Sequence, residues 1–306
     1  MAKREGFFRH DGVRYRFAVW ESEGAEAAPV VLLHGFAQSA ASWDNIAELL
    51  GRTRSVVALD LVGHGGSDRP EGADAYALGA QGEMLLAYLA SPVGVAALAT
   101  PGRSNGGSAS AAQGSRKPLV VGYSMGGRVA LAAASSQPET FARFAGGLVL
   151  ESAGLGPVDE REREDAAERD ARNAAALRRD GLSAFMDAWE RLDLFATQRD
   201  LPVSARERMR ASRLANDAEA LARTFEHAGQ HAMPARVDVL AALASLRASG
   251  APVRYIAGAL DVKYRTLAES LEDEGLCEVH IVAGAGHNVH LEAPAAYLRA
   301  LEGFPG

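Results

Sequence analysis

A short apolar run, Leu119–Tyr123, leads into the pattern Gly-x-Ser-x-Gly at residues 122–126, and the helix-compatible segment Val129–Ser136 follows. A strand, a sharp turn and a helix in this order present a serine as an exposed nucleophile at the end of the strand. Such a turn is strained, and a Cβ in place of either glycine would crowd the neighbouring backbone. The pattern alone is short, however, and it also occurs as an ordinary Gly/Ser turn. Its meaning therefore depends on the rest of the chain.

Apolar runs and helical patterns alternate through most of the chain. The runs are too apolar for strands with one face in water, so we expect strands that are buried on both faces of a sheet. Residues 7–20 are predicted to add a β-hairpin that turns at Asp11-Gly12. Alternating strands and helices favour a parallel, doubly wound sheet with right-handed crossovers. The predicted fold class is α/β, with strands at Pro29–Leu33, Ser55–Leu59, Leu119–Tyr123, Gly147–Glu151, Pro252–Ala257 and Glu278–Val282.

Two stretches depart from this alternation. From residue 156 to residue 233 the strand pattern disappears and several capped helical patterns follow one another. This block is predicted to be a helical cap subdomain, residues 156–233, inserted into a core formed by residues 1–155 and 234–306. Residues 93–117 contain a Gly/Ser-rich tract without apolar periodicity, and we expect a flexible surface insertion within the core.

A nucleophilic serine needs a base within hydrogen-bond reach and an acid that orients this base. Active groups in open parallel sheets collect beyond the carboxyl ends of the strands. Asp261 follows the strand that ends at Ala257, and His287 follows the strand that ends at Val282. Both would therefore lie at the same edge of the sheet as Ser124, and the order Ser, Asp, His is one in which catalytic triads occur. We predict that these three residues form a triad.

Glu151 and His290 compete for the roles of acid and base. Glu151 also follows a strand, but it directly precedes the cap. His290 lies further along, in the segment that leads to the helix beginning at Pro294. Both residues therefore rank below Asp261 and His287.

A negatively charged oxygen that forms during the reaction would need backbone N–H donors, so these are chosen by position rather than by side chain. The residue after the nucleophile, Met125, supplies one N–H group. Phe36, which follows His34-Gly35 at the end of a strand, supplies the other. These two residues are the predicted oxyanion hole.

The composition argues against several other classes of protein. A formal net charge of −7 argues against a nucleic-acid-binding surface. No apolar window approaches the ~18 residues of a membrane span, and the first residues lack the apolar region of a signal peptide. The single cysteine, Cys277, excludes an intramolecular disulfide and suits a reducing cytoplasm. His227 and His231 lie four residues apart without a third ligand, so we expect no metal site.

Five motifs spread over nearly the whole chain carry a family likeness: His34-Gly35-Phe36, Asp60-x-x-Gly-His-Gly-Gly-Ser67, Gly122-Tyr-Ser-Met-Gly126, Asp261 and Gly286-His287. Together they resemble the α/β-hydrolase superfamily. A narrower likeness rests on Val121–Arg128, Gly258–Lys263, Ala285–Pro294, Phe185-x-x-x-Trp189 and Arg213-x-x-Asn216. These segments resemble the family of 2-succinyl-6-hydroxy-2,4-cyclohexadiene-1-carboxylate (SHCHC) synthases of menaquinone biosynthesis.

This resemblance implies a lyase built on a hydrolase fold, without a cofactor. The enzymes of that family eliminate pyruvate from 2-succinyl-5-enolpyruvyl-6-hydroxy-3-cyclohexene-1-carboxylate to give SHCHC. In that reaction Ser124, activated by His287 and Asp261, would act as a base that removes a ring proton. The oxyanion hole would stabilise the charge that develops on a conjugated carbonyl group.

A substrate with several carboxylates calls for arginines, because their planar forks bind carboxylates bidentately. Arg128 lies one helical turn after Ser124, so its side chain can face the pocket, with packing at the sheet edge as the lesser alternative. Arg213 and one arginine of the first cap helix would reach down from the cap. Of the candidates Arg161, Arg163, Arg169 and Arg172, we single out Arg163. The remaining predicted substrate-binding residues are Tyr123, Trp189 and Lys263.

A serine hydrolase of esters or carbon–carbon bonds, in which Ser124 is acylated, is the alternative. The cationic residues Arg128, Lys263 and Arg213 favour the lyase, since a neutral ester would not require them. The expected partner is a small polycarboxylate, with no nucleic acid or membrane, and the expected state is a cytoplasmic monomer or small homo-oligomer.

Overall fold

The computed structural model describes residues 3–22, 27–99 and 116–304 of the 306-residue chain. Eight strands form one sheet in the order β1-β2-β4-β3-β5-β6-β7-β8. All neighbours from β4 to β8 in this order are parallel, and the antiparallel pairs are β1 with β2 and β2 with β4. The strands are β1 (Lys3–His10), β2 (Val13–Trp20), β3 (Val30–Leu33), β4 (Val56–Leu59), β5 (Leu119–Tyr123), β6 (Gly147–Glu151), β7 (Val253–Gly258) and β8 (Glu278–Val282).

Helices separate the parallel strands and cover the sheet. They are α1 (Asp44–Leu50), α2 (Leu78–Ala90), α3 (Pro92–Leu98), α4 (Met125–Ser136), α5 (Pro138–Phe144), α6 (Glu160–Trp189), α7 (Val203–Leu214), α8 (Ala218–Ala228), α9 (Arg236–Ala248), α10 (Val262–Asp273), α11 (Val289–Glu292) and α12 (Pro294–Leu301). Short 3-10 helices lie at Ala40–Trp43, Asp74–Tyr76, Asp193–Asp200 and Gln230–Ala232.

The central strands are apolar along their whole length because both faces of the sheet are covered. Alternate residues belong to different cores, as in β3, where Val31 and Leu33 face one core and Val30 and Leu32 the other. The first core contains residues of α2, α4, α9 and α10, and the second contains residues of α1 and α12. The predicted α/β class and the mostly parallel, doubly wound sheet are confirmed.

The N-terminal hairpin turns where the sequence predicts. Asp11 and Gly12 both adopt positive φ angles, 45° and 80°, as a two-residue type I′ turn requires. The hairpin extends the parallel part of the sheet beyond β4, to which β2 pairs in antiparallel register.

Residues of the predicted cap form helices α6, α7 and α8. Helix α6 begins at Asp159, whose side chain accepts a hydrogen bond from the N–H of Glu162 at 2.8 Å. Its helical geometry breaks at Gly181, where φ is 78° and ψ is 166°. Helices α6 and α8 pack against each other around a small apolar cluster that includes Leu177, Phe185 and Phe225.

The region 93–117 differs from the prediction at its start. Pro92–Leu98 form helix α3, in which Ser91 caps the N-terminus through the N–H of Gly94 at 2.9 Å. Leu98 is buried, so an apolar anchor holds this helix although it is too short to show a period. Residues 100–115 lie outside the described residues. No helix among the described residues is long and apolar enough to span a membrane.

Candidate active site

The three predicted triad residues come together at the carboxyl edge of the sheet. The Nε2 atom of His287 lies 3.2 Å from the Oγ atom of Ser124. The Nδ1 atom of the same ring lies 2.7 Å from Oδ2 of Asp261. His287 and Asp261 are both buried, whereas Ser124 is partly accessible. A carboxylate on Nδ1 fixes the tautomer in which Nε2 can accept a proton from the serine.

Ser124 sits in a strained turn between β5 and α4. Its φ and ψ angles are 48° and −105°, a conformation that L-residues rarely adopt and that needs support from the surroundings. A Cβ on Gly122 would lie 2.6 Å from the carbonyl oxygen of Gly126, and one on Gly126 would lie 2.3 Å from the carbonyl oxygen of Leu33. The glycines on either side therefore allow the backbones of strand and helix to approach each other closely.

Two loops carry the base and the acid. Asp261 is the N-cap of α10 and accepts a hydrogen bond from the N–H of Tyr264 at 3.4 Å. The carboxylate of Glu292 accepts the N–H groups on both sides of the histidine, from Gly286 at 2.6 Å and from Asn288 at 3.2 Å. His287 therefore projects from a loop whose backbone is held by hydrogen bonds.

The predicted oxyanion donors lie on two adjacent elements. Met125 is the first residue of α4, and Phe36 follows β3. In the part of the chain that the structure describes, neither N–H group donates a hydrogen bond. Free N–H groups next to the nucleophile are the donors that acyl-transfer and enolate chemistry use.

Two buried histidines shape the loop that carries Phe36. Ala37, the next residue, has a positive φ of 56°, and its N–H donates to Nε2 of His64 at 3.3 Å. His34 Nε2 accepts the N–H of Leu61 at 3.0 Å, while its Nδ1 faces the carbonyl oxygen of Gly35 at 2.8 Å. Each ring thus accepts one hydrogen bond through Nε2, and neutral imidazole provides this acceptor.

Burial keeps both rings in that neutral form. It lowers the pKa of His64 to about 3, and the neighbouring His34 adds to the effect. Burial also lowers the pKa of His34, against the opposing influence of Asp60. The loop that carries Phe36 is therefore held by two imidazoles that stay uncharged at neutral pH.

Arg128 lies one turn along α4 from Ser124 and is partly buried. One of its Nη atoms donates to the carbonyl oxygen of Ala228 at 3.0 Å, at the end of the cap helix α8. Its Nε atom is buried and has no partner among the described residues, and no described carboxylate pairs with the guanidinium. Burial lowers the pKa of Arg128, whereas Tyr264 and Asp170 oppose this shift. Arg128 is therefore a largely desolvated cation that no described carboxylate contacts directly.

The cap contributes an aromatic roof. The Trp189 ring lies 5.2 Å from that of Phe36 and 5.7 Å from that of Phe195, measured between ring centroids. Phe195 in turn lies edge-on to His287 at 5.9 Å. Phe225 completes the roof at 4.3 Å from Phe36. The roof limits the access of water to the loop that carries the predicted oxyanion donor.

Tyr123 and Tyr264 both lie beside His287, the predicted base. Tyr123 is buried beside His287, with 5.5 Å between the ring centroids. Burial raises its pKa well above the usual value. The ring of Tyr264 lies 4.9 Å from that of His287. Tyr264 was not predicted, although its position three residues after Asp261, in the first turn of a helix, could have indicated it.

The remaining predicted cations occupy different surroundings. Arg213 is buried in the cap, where it binds Glu190 at 2.9 Å and stands over the ring of Phe195. A cavity of about 580 Å³ lies beside it in the cap, lined by Phe195, Arg213 and the face of α7. Arg163 donates to the carbonyl oxygens of His231 and Met233, where the chain leaves the cap.

Lys263 is exposed, with its Nζ atom 5.2 Å from the centroid of the Tyr264 ring. Arg128 thus lies one helical turn from Ser124 with its side chain on the end of α8, whereas Arg163 and Lys263 contact other partners.

The competing acid and base, Glu151 and His290, bind each other instead of the serine. The Nδ1 atom of His290 lies 2.8 Å from Oε2 of Glu151. Among the described residues, no group of three or more His, Cys, Asp or Glu side chains could hold a metal ion.

Comparison with known proteins shows the family to which this chain belongs. A model of the alpha/beta hydrolase family matches residues 30–300. The chain belongs to the alpha/beta hydrolase family of enzymes.

Within that family, several relatives share one name. A Salmonella agona (strain SL483) protein, 30% identical over 91% of this chain and 94% of its own length, is named 2-succinyl-6-hydroxy-2,4-cyclohexadiene-1-carboxylate synthase. A Bacillus subtilis (strain 168) protein carries the same name as a provisional assignment and is 32% identical over 96% of this chain and 95% of its own length. The resemblance that the motifs predicted is confirmed.

Solved structures support the fold. MenH from S. aureus superposes with a TM-score of 0.72 at 24% identity, over 95% of this chain and 97% of that one. A thermophilic esterase from Thermogutta terrifontis, with malate bound, superposes with a TM-score of 0.71 at 22% identity. The superposition covers 98% of this chain and 97% of the esterase chain.

Proposed function

We propose that this protein is an SHCHC synthase, a lyase that eliminates pyruvate from 2-succinyl-5-enolpyruvyl-6-hydroxy-3-cyclohexene-1-carboxylate in menaquinone biosynthesis. The names of its relatives support this reaction, and so does the charge of the site. The substrate carries several carboxylates, and Arg128 would be a cationic partner for one of them.

The observation that carries the proposal is the state of Arg128. A buried guanidinium without a countercharge is costly, because desolvation is not offset by an ion pair. A substrate carboxylate would supply the missing partner and would fill the empty hydrogen-bonding position at Nε. A neutral ester would leave that cation unpaired.

The triad would act by proton transfer rather than by acylation. Ser124 Oγ would remove a ring proton of the substrate while its own proton passes to Nε2 of His287. The N–H groups of Phe36 and Met125 would stabilise the resulting negative charge on the carbonyl oxygen. Electrons returning to the ring would break the bond to the enolpyruvyl oxygen. The leaving enolate would then take up the proton held by His287 and become pyruvate. Ser124 would keep the proton that it removed from the ring, so that serine and histidine both return to their starting states.

A serine hydrolase remains the second candidate. Ser124, His287 and Asp261 lie at distances suited to acyl transfer, and two free N–H groups lie beside them. These features serve both reactions equally, so the charge of the pocket distinguishes the two candidates.

The test follows both reactions with one enzyme preparation. Pyruvate release from the enolpyruvyl substrate is measured by coupling to lactate dehydrogenase, and p-nitrophenyl ester cleavage is measured by absorbance. We expect pyruvate formation that Ser124→Ala removes, and ester cleavage that is slow by comparison. Fast ester turnover with an acyl-enzyme burst and no pyruvate would establish the hydrolase instead.

A further inference from the structure

Glu151 and His290 form a second carboxylate–histidine pair behind the triad. Glu151 is the last residue of β6, and His290 lies in the short helix α11. Their side chains are 0% and 1% exposed. The carboxylate accepts the backbone N–H of His290 at 3.0 Å as well as its ring Nδ1–H at 2.8 Å.

Glu151 contacts the nucleophile through its main chain. Its carbonyl oxygen accepts the N–H of Ser124 at 2.8 Å. The next residue, Ser152, has a positive φ of 47°, so the chain turns sharply directly after this hydrogen bond. The position of Glu151 therefore affects the backbone of the strained residue that carries the reactive oxygen.

His290 is connected in the same way to the base. It follows His287 by three residues, and the intervening Asn288 caps the helix that contains it. Trp43 stacks on the imidazole of His290 at 3.8 Å between ring centroids. Tyr123 fills the space between the two histidines, at 5.5 Å from His287 and 5.0 Å from His290. A displacement of His290 would therefore move the loop that presents His287.

We propose that Glu151 and His290 are positioning residues that hold Ser124 and His287 in register. One residue, Glu151, contacts the nucleophile through its main chain and the loop of the base through its side chain. A buried pair of a carboxylate and a histidine contributes little net stability, because the cost of desolvation offsets most of the attraction between the two side chains. Its hydrogen bonds are directional, however, and a misplacement of about 1 Å at a reactive group costs about a hundredfold in rate. The inference rests on the proposed roles of Ser124 and His287, but not on the identity of the substrate.

The test measures the reactivity of Ser124 with a fluorophosphonate, which needs an aligned serine, base and oxyanion hole but no natural substrate. The disrupting variants are Glu151→Leu, His290→Leu and the double variant. Glu151→Gln is the conservative variant, because its amide can still accept the backbone N–H and can donate to Nδ1 if the proton of His290 moves to Nε2. Leu246→Ala, in the core helix α9 and away from the site, controls for lost stability. Labelling rates are normalised to the folded fraction measured by thermal unfolding.

We expect the Leu variants to label at least tenfold more slowly than the wild type, and the double variant to be no slower than the slower single variant. Glu151→Gln should recover most of the rate, and Leu246→Ala should label at the wild-type rate. Folded Leu variants that label as fast as the wild type would overturn the proposal, and the pair would then be structural only. If the wild type labels and the Leu variants are slow but no pyruvate forms, the positioning role stands and the proposed lyase reaction fails.

Discussion

Arg128 combines three properties that bear on its role. It is partly buried, it is one helical turn from the reactive serine, and no described carboxylate neutralises it. The surface arginine Arg178 shows the ordinary case, since it binds both Glu219 and Glu226. The difference matters because an exposed ion pair contributes little, whereas a desolvated cation binds a complementary anion strongly.

Replacing Arg128 should therefore impair catalysis rather than folding. We expect Arg128→Ala to lower kcat/KM for pyruvate release at least about 100-fold, which corresponds to about 2.7 kcal/mol of transition-state stabilisation. Arg128→Lys should recover only part of this, because a lysine cannot form the bidentate contact. The matched control Arg178→Ala should leave kcat/KM unchanged. A wild-type kcat/KM in Arg128→Ala would mean that Arg128 only joins α4 to the cap.

At the scale of elements, the loop of the predicted oxyanion donor Phe36 is held by imidazole rings rather than by regular secondary structure. His64 accepts the N–H of Ala37, and this contact requires the neutral ring. Since burial lowers the pKa of His64 to about 3, the unfolded chain binds a proton between about pH 6.5 and pH 3 that the folded chain does not. Stability must then fall as the pH falls through this window.

This linkage predicts a pH-dependent difference between the wild type and His64→Gln. Glutamine can still accept the N–H of Ala37, but it does not titrate. Below about pH 6, the free energy of unfolding of the wild type should fall by about 1.4 kcal/mol more per pH unit than that of the variant. By pH 5 the accumulated difference should be about 2 kcal/mol. Urea unfolding of both proteins at several pH values measures this difference. If the free energy of unfolding changed equally with pH in both proteins, His64 would have an ordinary pKa in the folded state, which would contradict the prediction.

The nucleophile elbow depends on the close approach of α4 to β3. A Cβ on Gly126 would lie 2.3 Å from the carbonyl oxygen of Leu33, a backbone atom that cannot rotate away. We expect Gly126→Ala to lower the free energy of unfolding by about 1–3 kcal/mol or more and to displace Ser124.

The matched control is Gly79→Ala, near the start of α2, where a Cβ would meet nothing within 4 Å. It should be neutral or stabilising by up to about 1 kcal/mol. Chemical unfolding measures both variants, and equal stabilities would contradict the close-packing argument.

The elements themselves were largely predictable from the sequence. Both-sided burial makes strands such as β5 continuously apolar, and Asp159 and Gly181 mark the start and the break of α6 by local rules. Helix α3 was not predictable, because it is held by tertiary burial of Leu98 rather than by a repeated pattern.

At the scale of the whole molecule, topology brings distant residues together. Ser124, Asp261 and His287 each follow a different parallel strand, so their meeting could be predicted from strand order alone. Strand order does not predict which groups the side chains of the cap contact. Arg163 and Arg172 are both arginines of one helix, yet only the packing of α6 turns Arg163 toward the chain leaving the cap. Phe225 and Tyr264 reach the site through similar packing, which leaves no sequence motif.

The central claim is that Ser124 removes a proton and is never acylated. A single-turnover reaction with the enolpyruvyl substrate tests it directly, with pyruvate and the intact mass of the protein followed in the same samples. The account predicts one pyruvate per substrate consumed, an unchanged protein mass at every time point, and no pyruvate with Ser124→Ala. A transient gain in mass located on Ser124, without release of pyruvate, would contradict it.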